Sequence, residues 1–215
     1  MPLICLVRHG QASFGAEDYD ALSDLGRAQA VAVGRELARR DLRDPHLVSG
    51  TLTRQRDTAR LIAETARFRQ PLRQDPRWNE YDHLALLARY APSASHTHSV
   101  QDVLDRALLA WMAEPGAVDG TTWDSFAEGA AAAQAELSAT LGRGRDAVVV
   151  TSGGLLAALC GTLLPLPPEG VVALNRVTVN ASITTLAVGR SGTSLLTFND
   201  HAHFAGHQRR LLTYR

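Results

Sequence analysis

The stretch that decides the fold is LICLVRHGQ, at residues 3–11. Leu3–Val7 is a continuous apolar run, which is typical of a strand buried on both faces of a sheet that helices cover. Arg8, His9 and Gly10 follow at once, and ligands bind at the carboxyl ends of strands in open α/β sheets. A guanidinium fork, an imidazole and a permissive backbone suit a dianionic group that approaches closely. For this tripeptide taken alone, the alternative interpretation is a solvent-exposed loop.

Strand and helix patterns alternate along the rest of the chain. Ser23 is a candidate helix N-cap, because apolar residues follow it at i, i+3, i+4 spacing. The further expected elements are strands at His46–Ser49 and Ala147–Thr151, helices that include Ala59–Ala66, Phe126–Leu141 and Leu155–Leu164, and a hairpin of Ile183–Val188 with Ser194–Phe198. Strands that alternate with helices and a final hairpin predict an α/β sandwich with a mixed sheet.

Residues 77–123 differ from this alternation, being less regular and more polar. Pro, Ser, His and Thr fill Pro92–Ser99, and Pro115 with Gly116 marks a turn. We interpret this segment as a helical insertion, laid over the sheet edge of a single domain that spans residues 1–215.

Composition narrows the classes of function. With 215 residues, of which 45% are apolar and 20% charged, the chain is large enough for one domain with a sizeable core. Twenty-two basic residues balance 22 acidic ones, which argues against nucleic acid or an anionic membrane as a partner. All the basic residues are arginine, so a P-loop, a pyridoxal enzyme and a protein kinase, which need a lysine, are excluded.

The cysteines and the apolar runs bear on the compartment. Cys5 and Cys160 lie inside apolar runs, which predicts buried thiols in a reducing environment. The apolar run before Arg8 is too short for a signal peptide. A longer run, 147–166, is interrupted by polar and glycine residues and predicts a buried strand followed by a buried helix. We therefore expect a soluble, cytoplasmic protein.

Four segments carry a resemblance to a known family. They are LVRHGQ at 6–11, LSDLGRAQA at 22–30, SGTLTR with the following Thr58 and Ala59 at 49–59, and the strand with its Gly-Gly turn at 147–155. In order and spacing they resemble the histidine phosphatase (phosphoglycerate mutase-like) superfamily, with residues 82–123 unmatched. The resemblance implies a three-layer αβα sandwich with a mixed, mostly parallel sheet.

The resemblance also implies roles for individual residues. His9 corresponds to the nucleophile that accepts a phosphoryl group, and Arg8 and Arg54 to the residues that bind its oxygens. Glu80 stands where the family takes its general acid, with Asp82 and Asp75 as competing candidates. Gln11, Ser152 and Gly153 complete the expected phosphate site. No metal or cofactor is implied.

Ser152 is the main departure from the family pattern. Thr151-Ser152-Gly153 stands where the family has Ser-His-Gly, so a hydroxyl replaces the second catalytic histidine. A hydroxyl donates one hydrogen bond but carries no positive charge. We therefore expect phosphate binding to survive better than turnover. A serine nucleophile elbow is disfavoured, because the residue two positions earlier is Val150 instead of glycine.

The remaining histidines leave alternatives open. His203 is a candidate to replace the missing histidine, and His201, His203 and His207 are candidate metal ligands, against the simpler interpretation of a solvated C-terminal segment. His96 and His98 lie in a Ser-rich stretch that more often faces water. Together with Arg89 and Tyr90, these two are candidates for contacting a leaving group.

The predicted function is a phosphatase that hydrolyses a phosphomonoester of a small phosphorylated metabolite through a phosphohistidine, with activity reduced by Ser152. One alternative is a catalytically weak or inactive member that binds a phosphorylated ligand. A second is a phosphoglycerate mutase, which the sequence after Glu80 disfavours because the usual Gly-x-x-Glu-Gly is missing. The sequence contains no signal for the oligomeric state.

Overall fold

One six-stranded sheet with helices on both faces forms the protein. It is seen in a computed structural model, which describes residues 1–13, 20–91, 99–142 and 144–214. The strands are β1 (Leu3–Arg8), β2 (His46–Ser49), β3 (Leu72–Gln74), β4 (Ala147–Thr151), β5 (Ile183–Gly189) and β6 (Gly192–Asp200). The helices are α1 (Asp24–Arg39), α2 (Thr53–Ala66), α3 (His83–Tyr90), α4 (Val100–Ala113), α5 (Trp123–Leu141), α6 (Gly153–Leu163) and α7 (Pro168–Val177).

The sheet is mixed and mostly parallel, as predicted. Its order is β3-β2-β4-β1-β5-β6. The first four strands of that order run parallel, and β5 runs antiparallel to both β1 and β6. The carboxyl ends of β1, β2 and β4 therefore lie side by side at one edge.

Successive side chains of the central strands point to opposite faces of the sheet and form two apolar cores, one on each face. Cys5 and Val7 of β1 pack with residues of α1 and α2 on one face. Ile4 and Leu6 pack with residues of α5 and α6 on the other. Because successive side chains of a strand point to opposite faces, a strand that is apolar throughout must lie between two layers. The predicted αβα layering is confirmed.

The connection from β1 to α1 is held by close backbone approach. The Ser23 hydroxyl accepts a hydrogen bond from Gly26 N at 3.0 Å and caps α1, as predicted. A Cβ on Gly10 would lie 2.4 Å from Gly26 O, so any larger residue would force the loop away from the helix. Glycine at position 10 therefore allows the residues before it to lie close to the start of α1.

Three elements differ from the sequence-based prediction. β3 was missed because three residues are too short for a visible period. α7 was missed because Pro167 and Pro168 mark a turn, although proline is well tolerated in the first turn of a helix. α6 begins at Gly153, two residues before the predicted start, because Ser152 is the extended N-cap.

The segment 77–123 contains α3 and α4 together with a third apolar cluster. Leu86, Leu108, Trp111 and Val118 are buried there, and Val172 of α7 packs with them. Tyr81 meets Trp111 and Phe126 edge-on, at centroid distances of 5.6 and 5.9 Å. This cluster anchors Tyr81, which immediately follows Glu80.

Cys5 and Cys160 are free and buried, as predicted. Burial raises the pKa of the Cys5 thiol to about 11 and that of Cys160 to about 12. Both thiols are therefore protonated at neutral pH. Within the described ranges, no helix combines the length and the apolar character that crossing a membrane requires.

Candidate active site

The candidate site lies where three adjacent parallel strands end. His9 N donates to Thr151 O at 2.8 Å, joining the end of β1 to the end of β4. Gly50 N donates to Val150 O at 3.2 Å, joining the end of β2 to β4. His9, Arg54 and Ser152 each follow the end of one of these strands, so the sheet brings together residues that are far apart in sequence.

His9 has a defined tautomer. Its ring is buried, with Nδ1 2.7 Å from Gly10 O and Nε2 3.1 Å from the Arg54 Nε. Because a carbonyl only accepts and a guanidinium only donates, Nδ1 carries the hydrogen and Nε2 the lone pair. Burial, reinforced by the charges of Arg54 and Arg8, lowers the pKa of His9 well below its usual value. The imidazole is therefore neutral, with its lone pair facing Arg54.

Arg54 lies in the first turn of α2 and is held in place by neighbouring groups. Its Nη1 donates to Asp20 at 2.6 Å, and Asp20 also accepts from Thr53 N at 2.6 Å. The Thr58 hydroxyl accepts from Gly10 N at 3.0 Å and donates to Arg54 O at 2.7 Å, linking α2 to the His9 loop. Sequence reasoning missed Asp20, which is isolated in the sequence and is brought here only by the fold.

Arg8 is anchored by two backbone carbonyls. Its Nη1 donates to Thr178 O and, at 3.1 Å, to Tyr214 O. A Cβ on Gly153 would lie 3.5 Å from the Arg8 Nε, so the N-terminus of α6 adjoins this guanidinium. The charges of both arginines that the sequence predicted for the site act on the His9 ring.

Glu80 is brought to the same site by the N-terminus of α6. Its Oε2 accepts from Gly154 N at 2.8 Å, and burial raises the pKa of its carboxyl. A Cβ on Gly154 would lie 2.4 Å from Glu80 Oε1 and 2.3 Å from the Tyr81 ring, so only glycine permits this approach. A buried carboxyl with a raised pKa is suited to donate a proton near neutral pH.

The two competing carboxylates are engaged elsewhere. Asp82 caps α3, accepting from Leu84 N at 2.8 Å and Ala85 N at 3.0 Å. Asp75 binds the Arg77 guanidinium, and the hydrogen bonds from Arg77 lower the pKa of Asp75. A carboxylate with a lowered pKa is a poor proton donor, which favours Glu80 among the three.

Ser152 is wholly buried at the N-cap of α6, and its Oγ accepts from the Gln55 Nε2 at 2.8 Å. Within the described part of the chain it forms no hydrogen bond to a histidine, which argues against a serine nucleophile.

The Gln11 side chain accepts from the Ser23 hydroxyl at 3.1 Å, and so lies toward the N-terminus of α1.

The other histidines are not brought to Ser152. His203 Nε2 lies 3.0 Å from Ala181 O, and its ring packs on Phe204 at a centroid distance of 4.2 Å. In the ranges that the structure describes it forms no hydrogen bond to His9 or Ser152. Nor does any group of three His, Cys, Asp or Glu side chains there have metal-binding geometry, His201, His203 and His207 included. His96 and His98 lie outside the described residues.

A cavity of about 350 Å³ adjoins Glu80 on the side of α5. Its lining includes Asn79, Tyr81, Trp111 and Phe126.

Arg89 and Tyr90 belong to the last turn of α3 and lie beside Gly116.

The opposite pKa shifts of His9 and Glu80 predict the pH dependence of kcat/KM, which reports the free enzyme. His9 can act as a nucleophile only when neutral, so the rising limb is expected below pH 6.5, because the pKa of His9 is lowered from that value. Glu80 can act as an acid only when protonated, so the falling limb is expected above pH 4.5, because the pKa of Glu80 is raised from that value. Initial rates across a pH series check this, and a rising limb above pH 6.5 would contradict it.

The neutral His9 imidazole meets one guanidinium at Nε2, the charge of a second guanidinium acts on it, and Glu80 has a raised pKa. At the carboxyl edge of an α/β sheet, this set of groups is suited to phosphoryl-group chemistry. The family model of the histidine phosphatase superfamily (branch 1) matches residues 4–201, and the chain belongs to this superfamily. It is a phosphatase, a phosphoric monoester hydrolase of the histidine type, as the sequence resemblance predicted.

Individual relatives agree with this assignment. A glucosyl-3-phosphoglycerate phosphatase from Mycolicibacterium vanbaalenii is 34% identical over 213 residues, covering 86% of this chain and 83% of the relative. The structure of a mycobacterial glucosyl-3-phosphoglycerate phosphatase with VO3 has a TM-score of 0.69 at 29% identity, covering 93% of this chain and all of the other. A phosphoglycerate mutase from Bacillus anthracis shares the fold, with a TM-score of 0.69 at 20% identity and 95% coverage of both chains.

Proposed function

We propose that this protein hydrolyses a phosphomonoester of a small phosphorylated metabolite through a phosphohistidine on His9. The observation that carries the proposal is the His9 tautomer, whose Nε2 lone pair faces the Arg54 Nε at 3.1 Å. A donor already aimed at the nucleophilic atom will face the oxygens of any phosphoryl group bonded to that atom. Relatives with phosphatase names, including one bound to inorganic phosphate, support the same chemistry.

In the first step His9 Nε2 attacks phosphorus and the ester P–O bond breaks. The proton on Glu80 passes to the leaving oxygen, which departs as an alcohol. The guanidinium groups of Arg8 and Arg54 stabilise the charge on the equatorial oxygens, where charge stabilisation supplies most of the catalysis. Hydrogen bonding from Nδ1 to Gly10 O keeps the ring oriented throughout.

In the second step water attacks the phosphoryl group from the side that the alcohol has left. Glu80, now a carboxylate, takes a proton from that water as the P–N bond breaks. Inorganic phosphate leaves, and His9 returns to its neutral form. Glu80 regains its proton in the same step, so the cycle balances.

We also propose that residues 1–215 form one domain, in which 77–123 is an insertion. The third apolar cluster supports this interpretation, because α3 and α4 pack on α7 and on the aromatic residues that anchor Tyr81. Gln11, Ser152 and Gly153 are proposed to complete the phosphate site.

A hydrolysis screen tests the proposed function. The purified protein is incubated with p-nitrophenyl phosphate and a panel of phosphorylated metabolites, and inorganic phosphate is measured. Release of phosphate together with a phosphoryl-protein intermediate supports the proposal. Tight vanadate binding without turnover of any substrate would instead support a member that only binds phosphorylated ligands.

Replacing Arg54 with alanine is expected to weaken vanadate binding. A charge-assisted bidentate contact contributes about 1.5 to 3 kcal/mol, so the dissociation constant should rise by roughly tenfold to a hundredfold. Calorimetric titration with vanadate measures this change. Arg60→Ala is the matched control, because Arg60 is exposed on the same helix and pairs with Asp57 at 3.1 Å. Equal affinity in Arg54→Ala and wild type would remove Arg54 from the site.

A further inference from the structure

Gln55 is a buried amide beside the candidate site, to which sequence analysis assigned no role. It follows Arg54 in α2 and its side chain is wholly buried. Its Nε2 lies 2.8 Å from the Ser152 Oγ and 3.1 Å from Trp78 O. This one side chain therefore connects α2, the segment before Glu80 and the N-cap of α6.

The partners of Gln55 determine the direction of both hydrogen bonds. Trp78 O is a carbonyl and only accepts, so the amide atom facing it must be the nitrogen. The same nitrogen then donates its second hydrogen to the Ser152 Oγ. The Thr151 hydroxyl also donates to Trp78 O, at 2.7 Å, which leaves that carbonyl no lone pair for a third donor. Ser152 must therefore direct its own hydrogen elsewhere.

No acceptor takes the Ser152 hydroxyl hydrogen among the residues that the structure describes. The hydroxyl forms no capping bond to α6, and its one hydrogen-bond partner there is Gln55. The neighbours of Ser152 on both sides belong to the site. Thr151 O accepts from His9 N, and Gly153 adjoins the Arg8 guanidinium. The Ser152 hydrogen is therefore available to an acceptor that the site binds, such as a phosphoryl group.

Packing holds the Gln55 amide in this orientation. A Cβ on Gly50 would lie 1.9 Å from the Gln55 Oε1 and 2.5 Å from the Asn79 Oδ1, so glycine is required where the amide crosses the β2 loop. The amide also fills the space next to the Ser152 side chain. An imidazole at position 152 would meet it, which gives a physical reason for the small residue there.

We propose that Gln55 is a positioning residue, which holds the Ser152 hydroxyl as a hydrogen-bond donor to the transferring phosphoryl group. This inference rests on the proposed function. It assigns to Gln55 and Ser152 together the donor that the family takes from its second histidine. A neutral donor of this kind contributes on the order of 10-fold to 100-fold in rate, between the effect of an ordinary neutral hydrogen bond and that of a full oxyanion donor.

A double-mutant cycle tests the proposal. Gln55→Met keeps the length of the side chain and removes its donors, and Ser152→Ala removes the hydroxyl. Each single variant should lower kcat for p-nitrophenyl phosphate by about 10-fold to 100-fold, with a smaller effect on KM. In the Ser152→Ala background, Gln55→Met should cause no further loss, because Gln55 acts through the hydroxyl. Gln134→Met is the matched control, since Gln134 is a buried glutamine on α5 that bonds Ser138 and Thr193.

Gln55→Glu provides a second measurement that does not depend on how well methionine packs. The protonated carboxyl has the shape of the amide, but burial raises its pKa. Once ionised it accepts the Ser152 hydrogen and turns the donor away from the substrate. The variant should therefore show an extra fall in kcat of about 10-fold to 100-fold with rising pH, absent in wild type and in Ser152→Ala/Gln55→Glu.

Two results would overturn this proposal. One is an equal effect of Gln55→Met with and without the Ser152 hydroxyl, and the other is a Gln55→Glu profile parallel to that of wild type. Circular dichroism and the midpoint of thermal unfolding identify any variant that fails to fold, in which case the Gln55→Glu profile decides. Absence of a phosphoryl-protein in the wild type would refute the proposed function instead, so the two failures are distinguishable.

Discussion

His9→Ala is expected to abolish formation of a phosphoryl-protein. Loss of a nucleophile costs on the order of 10⁴-fold to 10⁶-fold in kcat. The lone pair of His9 Nε2 meets the Arg54 guanidinium, and the charges of Arg54 and Arg8 act on the ring. Wild-type protein quenched during turnover of a reactive phosphate ester should carry a phosphoryl group that is labile in acid and stable in base. The same quench applied to His9→Ala should yield none.

The control for this experiment is His207→Ala, which removes an exposed histidine from the C-terminal segment. It should be phosphorylated and should turn over like wild type. Circular dichroism checks that His9→Ala folds. Substrate hydrolysis by folded His9→Ala at the wild-type rate would show that another residue is the nucleophile.

Glu80→Gln is expected to separate substrates by the basicity of their leaving groups. The amide keeps the shape of the carboxyl and can still accept from Gly154 N, but it has no proton to give. General acid catalysis contributes about 10²-fold to 10⁴-fold, so kcat/KM for an alkyl phosphate, which reports the phosphorylation step, should fall by that factor. The fall for p-nitrophenyl phosphate should be much smaller, because p-nitrophenolate leaves without being protonated.

Comparison of the two substrates makes this result specific. Glu128→Gln, an exposed position on α5, should leave both rates unchanged. A general loss of stability would lower both rates of Glu80→Gln together. Equal losses of kcat/KM for alkyl and aryl phosphates in a folded Glu80→Gln protein would remove Glu80 from the role of acid and return the question to the other carboxylates.

The same comparison bears on the pH profile. Glu80 is partly buried against the N-terminus of α6, and desolvation of its carboxyl is the largest influence on its pKa. If Glu80 is the acid, the falling limb of kcat/KM seen with the wild type should disappear in Glu80→Gln. The rising limb belongs to His9 and should remain.

Much of the fold follows from patterns of apolar and capping residues that lie close together in the sequence. Leu3–Arg8 and Ala147–Thr151 are apolar at nearly every position, and such runs form central strands between helical layers. Ser23 capped the first helix because a hydroxyl at the N-cap satisfies a free backbone N–H. These features depend on residues close in sequence, so the sequence alone predicted them. The three residues of β3 have too short a pattern to be recognised.

The sequence by itself also predicted which residues carry the chemistry, because Arg8, His9 and Arg54 lie in contiguous motifs at strand ends. Only the tertiary structure decided their partners. Asp20 at Arg54, Gly154 at Glu80 and Gln55 at Ser152 are contacts between segments separated by 34, 74 and 97 positions. The physical reason is that sequence patterns report burial and local geometry, whereas the direction of a hydrogen bond and the desolvation of a carboxyl depend on which distant groups the sheet brings together.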